Sequence, residues 1–229
     1  MENGLSLSEL MQLVQEAFSY EELCKLYDPQ KRHYSELLDH FVFVNSRTTG
    51  SREKGAALEE LVAYLLEISG NVFEIVKNVH TSTNEIDEIV KLNSKGRALE
   101  KHGLLSSRLI TFLGECKNYS KSIAATYTGK FYSLLLTTGN TTGILFSYHG
   151  VSGQGWRYSA GLVKKIYLQR ENPDNRIAII DFSLHDFQSI ISGDYLFSII
   201  DRKLDALQYD TSVDSFISHH PAETMFLSS

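Results

Sequence analysis

Cysteine is nearly absent from this chain. Cys24 and Cys116 are the only two in 229 residues, with no spacing suited to a disulfide framework or a zinc site. That scarcity makes a reducing, cytoplasmic setting the expectation. Long apolar runs are missing too. The longest candidate, residues 131–146, is interrupted by a polar stretch at 137–143, so nothing approaches the ~20 residues of a membrane helix and no membrane partner is expected. The N-terminus has no basic segment followed by an apolar core, so no signal peptide is expected. What is there is ordinary for a soluble globular chain, 42% apolar and 22% charged, of a length that suits one α/β domain with helical additions.

Charge is short only in places. The net −6 conceals eight acids against three bases in residues 1–45 and eight against two in residues 181–229. Residues 46–180 carry 17 bases against 12 acids. A basic centre suits a polyanionic substrate, which the total alone would have argued against.

Apolar residues at helical spacing predict helices over 5–18 and 20–43, the first opening on a Ser6-x-x-Glu9 capping box. The turn-rich stretch 45–51 reads as the best domain boundary. A strong helix is expected from Gly55 to Glu67, stopping at Gly70, then strands at 72–76 and 85–92. The polar segment 93–108 reads as a flexible connector. A buried strand at 109–114, a helix at 123–137, a strand at 143–148, a short helix at 160–167 and a strand at 176–182 follow, with helical patterns resuming toward Leu207.

The chemistry concentrates where the buried strand ends, at Glu115-Cys116-Lys117. Alternate strand residues share a face, so Glu115 and Lys117 project together, and a carboxylate and an ammonium so placed cost solvation unless something uses them. Phosphodiester hydrolysis needs an attacking hydroxide and relief of charge on phosphorus. Magnesium supplies much of this when held by a few carboxylates. Asp87, on the preceding strand, would converge with Glu115, and the Cys116 main-chain carbonyl would complete the ligands. Lys117 would orient or deprotonate the attacking water, and Glu59 or Glu60 would add a helix carboxylate.

In order, Gly55-Ala-Ala-Leu-Glu59, Asn84-Glu-Ile-Asp87 and Gly114-Glu-Cys-Lys-Asn118 resemble the motifs of the PD-(D/E)XK restriction-endonuclease-like nucleases, closest to the Mrr-like branch of type IV restriction enzymes and resolvase relatives. The resemblance spans residues 52–190. It implies a restriction-endonuclease-like α/β core, a central mixed sheet flanked by helices, with helical extensions at 1–45 and 191–229. It also implies a Mg²⁺ site, which Mn²⁺ can share, built from Glu59, Asp87, Glu115 and Lys117. No proline precedes Asp87, and the interval to Glu115 is long for paired strands.

The expected function is a metal-dependent DNA endonuclease in restriction or antiphage defence, working as a homo-oligomer, with the acidic flanks contacting a dimer mate or a sensor or motor partner protein. The rival readings are a non-catalytic nuclease-fold subunit of a defence complex and a structure-selective junction resolvase or repair nuclease. Lys95, Arg97, Lys101, Arg108 and Lys121 are the expected phosphate contacts. Gln154, Trp156 and Arg157, beside the glycine-rich turn 150–155, are further nucleic-acid candidates, and Cys116 reads as a small buried strand residue. No histidine spacing reads as a ligand set, His219-His220 included.

Overall fold

The computed structural model describes residues 18–80 and 85–210. The Ser6–Glu9 capping pattern, most of the first expected helix, Asn84 and the His219-His220 pair lie outside them.

The chain enters through a single turn, α1 (Tyr20–Leu23), whose Ser19 hydroxyl accepts the Glu22 N–H, and then α2 (Asp28–Asn45). Pro29 sits in the first turn of α2, where its missing N–H costs nothing. Helix α3 (Ser51–Ile68) buries Ala57, Leu58, Leu61, Val62 and Leu65, an apolar stripe at the spacing of one helix face. The turn between α2 and α3 separates two helices and not two cores. Tyr34, Phe41 and Val44 of α2 are buried in the same cluster as Leu58 and Leu61, and the Tyr34 hydroxyl donates to the Phe187 carbonyl at 3.0 Å.

Five strands follow: β1 (Phe73–His80), β2 (Glu85–Leu92), β3 (Thr111–Cys116), β4 (Thr142–Phe146) and β5 (Ala178–Phe182). They form one mixed sheet in the order β1-β2-β3-β4-β5, antiparallel from β1 to β3 and parallel from β3 to β5. The connection expected as a flexible loop between β2 and β3 holds a helix, α4 (Ser94–Lys101), started by the Asn93 side chain accepting from the Gly96 N–H at 3.0 Å. The parallel strands are joined by crossover helices α5 (Ala125–Thr138) and α6 (Tyr158–Leu168). Helices α7 (Leu184–Ile191) and α8 (Leu196–Gln208) close the described chain.

Central strands buried on both faces explain the near-continuous apolar runs of β3 and β4. Val90, Phe112, Cys116, Ile144, Phe146, Ile180 and Phe182 face the core built with α2, α3 and α7. Leu113, Leu145 and Ile179 point the other way, into the core built with α5 and α6. Phe197, Ile199 and Ile200 of α8 enter the first core, so residues 52–190 alone do not enclose it. The protein is thus α/β, with a five-stranded mixed sheet flanked by helices. Among the described residues, no helix is long and apolar enough to cross a membrane.

Candidate active site

The β2–β3 register pairs Glu88 with Gly114, so one step further along Asp87 stands opposite Glu115. Both side chains project on the α5 side of the sheet, the face of Leu113, while Glu88 and Cys116 project to the α3 side. Lys117 shares the Glu115 face. Its ammonium donates to Asp87 Oδ2 at 3.0 Å and lies 3.0 Å from Glu115 Oε1, bridging the two carboxylates.

Tyr127, which the sequence did not single out, completes the group. It lies in the first turn of α5, and its hydroxyl donates to Glu115 Oε1 while its ring centroid is 5.7 Å from the Lys117 ammonium. The other oxygen, Oε2, is buried with no hydrogen-bond partner. No local pattern marks Tyr127. Only the crossover from β3 into α5 brings it over Glu115.

Burial raises the Glu115 carboxyl above the ordinary range, against the Tyr127 hydrogen bond and the Lys117 charge, which pull it down. Burial works in the opposite sense on Lys117, but Glu115 and Asp87 outweigh it and push the ammonium above its usual range. Lys117 is therefore a held cation and hydrogen-bond donor in this arrangement, and the expectation that it deprotonates water is not supported here. Burial, followed by the Glu115 charge, raises the Tyr127 phenol, which stays protonated and able to donate. Cys116 is buried, and burial raises its thiol well above the usual value, as suits an inert strand residue.

Glu59 and Glu60 are exposed on α3, which packs on the opposite face of the sheet. Burial raises the Glu88 carboxyl first, and Glu59 adds to the rise, so the Glu59 charge reaches the far side of β2. Successive strand residues face opposite ways, so a helix over the Glu88 face is not placed to contribute a ligand beside Asp87.

The expected phosphate contacts divide by position. Asp87 near the start of β2 and Glu115 at the end of β3 mark one end of the sheet, and the 93–110 connector leaves from the other, about 17 Å along β2. There the Lys95 ammonium donates to the Gly70 carbonyl at 2.7 Å and the Arg97 Nε to the Leu92 carbonyl at 3.1 Å. Arg108 donates to the Arg176 and Pro173 carbonyls at 2.9 and 2.8 Å. These three cations tie chain segments together, and Lys101 ends α4 at the same distant end. Lys121 alone of the five is exposed on the loop that leaves Lys117. The Asn118 side chain ties that loop to the start of α3 by donating to the Lys54 carbonyl at 2.7 Å.

A second acid missed in sequence lies in the same row. Leu145 pairs with Glu115 on one side and Asp181 on the other. Burial raises the Asp181 carboxyl, and its Oδ1 is buried without a partner beside a cavity of about 440 Å³.

Among the described residues no cluster of three or more His, Cys, Asp or Glu is arranged for a metal. Magnesium asks for less: one or two carboxylates, with water and substrate oxygens filling the rest. The free, buried Glu115 Oε2 and the facing Asp87 carboxylate supply those donors. The Lys117 N–H bonds the Phe146 carbonyl on the β4 side, so by strand alternation the Cys116 carbonyl points toward β2, beyond the last β2–β3 pair. These three groups fit the ion; Glu59 does not. No protein-family model, curated protein or solved structure matches the chain.

Proposed function

We propose that the chain is a metal-dependent nuclease of the restriction-endonuclease-like kind that hydrolyses phosphodiester bonds in DNA, in restriction or antiphage defence. One observation carries the reading: Asp87 and Glu115 face each other at the open end of β2 and β3, with Lys117 between them and one Glu115 oxygen left free. Two carboxylates bound to a single lysine leave a net negative site, which a structural ion pair does not need and a divalent cation does.

Asp87, Glu115 Oε2 and the Cys116 carbonyl would hold Mg²⁺, which when bound supplies charge relief at phosphorus and lowers the pKa of its water. Tyr127 fixes the Glu115 carboxylate from its other oxygen. The Lys117 ammonium, once released from between the carboxylates, would donate to a phosphate oxygen or to the attacking water. Burial of Glu115 and the tyrosine ring over the site keep bulk water away, which strengthens each of these contacts.

Purified protein incubated with plasmid, linear duplex, single-stranded and four-way-junction DNA in Mg²⁺ or Mn²⁺ should cut at least one of them, and chelator should stop it. Asp87→Asn, Glu115→Gln and Lys117→Ala should each abolish cleavage. Cleavage that survives all three substitutions would sink the site, and a wild type that cuts nothing under any metal would sink the enzyme.

A further inference from the structure

The loop after β4 exposes Gly153 to Tyr158 in succession, with Trp156 47% and Tyr158 75% exposed and Arg157 between them. The base of this loop is anchored. The Ile123 N–H bonds the Gly150 carbonyl at 2.8 Å and the Ser152 N–H bonds the Ile123 carbonyl at 2.9 Å, tying it to the segment that leads into α5. A Cβ on Gly161 would fall 2.0 Å from the Trp156 carbonyl oxygen, so the chain crosses α6 where only glycine fits. Tyr158 is held at φ +53°, a left-handed conformation that a bulky aromatic residue adopts only under constraint.

The indole is also held in place. Its N–H donates to Asp210 at 3.2 Å, and the Lys164 ammonium, itself 2.7 Å from Asp210, lies 5.8 Å from the ring centroid. Asp181, two strands from Glu115 in the same row and so about 10 Å away, accepts a backbone hydrogen bond from Val151 at the base of the loop. The base of the loop therefore lies at the same end of the sheet as the candidate site.

We propose, resting on the nuclease reading, that Trp156, Arg157 and Tyr158 form a stacking platform for unpaired nucleobases, so that the substrate is a single-stranded or locally opened nucleic acid. Base faces inside a duplex are covered by their neighbours, and only a splayed base offers a face to an aromatic ring. Three of the five cations expected to grip a duplex backbone, Lys95, Arg97 and Arg108, are held at the far end of the sheet on the carbonyls of Gly70, Leu92, Pro173 and Arg176. Binding at the site end must draw on stacking, with Arg157 and Lys121 meeting phosphates.

Trp156 is the sole tryptophan, so its fluorescence reports on the platform directly. The wild-type protein is titrated in chelator with a single-stranded thymidine oligomer, the uridine equivalent, and a blunt duplex. Saturable quenching by either single strand, and none by duplex at the same nucleotide concentration, is the expected result. Tyr158→Asn, which suits a left-handed backbone, should weaken single-strand binding about tenfold or more. Equal quenching by duplex, no quenching by either oligomer, or an Asn variant that binds as tightly as wild type would each overturn the platform. Cleavage is scored separately. A protein that cuts DNA while its tryptophan ignores single strands loses only this inference, whereas quenching without any cleavage supports the platform and removes the nuclease.

Discussion

Replacing Lys117 by methionine keeps most of the side-chain volume and removes the charge that bridges Asp87 Oδ2 and Glu115 Oε1, each 3.0 Å from it. Two carboxylates are then left facing one another across adjacent strands. Breaking a fully buried pair costs about 3–5 kcal/mol, and an exposed one about 0–1. Here the side chains of Lys117, Asp87 and Glu115 are 23%, 30% and 8% exposed, so the cost falls between those limits, at about 2 kcal/mol. For a chain of this length that is a fall in Tm of about 4–8 °C.

The loss depends on pH in a defined direction. Burial raises the Glu115 carboxyl above its unfolded value, so the stability its neutral form gives is complete below the unfolded value and is lost as pH rises through the folded one. Without Lys117 the carboxyl rises further, and the gap between variant and wild type should close as pH falls below the raised wild-type value. A divalent ion should substitute for the missing ammonium. At a hundredfold excess over its dissociation constant it returns about 2.7 kcal/mol. Thermal unfolding of both proteins at pH 7 in chelator, then in Mn²⁺, measures all three effects. A variant as stable as wild type in chelator would show that the ammonium does not hold the carboxylates. Equal Mn²⁺ stabilisation of an Asp87→Asn, Glu115→Gln double variant would show that the carboxylates do not hold the ion.

Tyr127→Phe leaves Lys117 as the one partner of Glu115 Oε1 and should weaken Mn²⁺ binding and cleavage by about 10–100-fold, as loss of a ligand's hydrogen-bond partner does. Calorimetric titration of the ion checks this, and unchanged affinity would remove Tyr127 from the site. Glu88 is 2% exposed, with the Lys77 ammonium at 3.4 Å and no true hydrogen bond to either oxygen, and burial raises its carboxyl. Glu88→Met should therefore stabilise the fold by about 1 kcal/mol above that raised pKa and by nothing once Glu88 is protonated, read from urea unfolding at pH 8 and pH 4. A fragment of residues 52–190 should fail to fold. It lacks Tyr34, Phe41, Phe197 and Ile200, none more than 1% exposed, and core Phe losses of about 3–5 kcal/mol each exceed a total stability of about 5–15. A cooperative thermal transition of that fragment would refute the finding that α2 and α8 complete the first core.

Much of the sheet was legible from periodicity. The strands at 85–92, 143–148 and 176–182 and the helix ending before Gly70 were read from alternation, apolar spacing and glycine, all of them local properties. The connector at 93–108 reads as a loop because its residues are polar, yet it holds a helix. Its helix depends on the Asn93 cap and on Arg97 and Lys95 reaching back to carbonyls of earlier segments, which no local pattern records.

Sequence alone determined which residues share a face. A strand has a period of two, so Glu115 and Lys117 had to project together, and the order of the motifs put Asp87 on the neighbouring strand. It could not determine which helix covers that face, because covering is settled by how crossovers pack and not by spacing along the chain. Tertiary structure moved Glu59 to the other side of the sheet, brought Tyr127 onto Glu115, and carried Lys95, Arg97, Lys101 and Arg108 to the end away from the site. An antiparallel pair separates the open end that holds the carboxylates from the end where its connector leaves, and that separation exists only once the strands have paired.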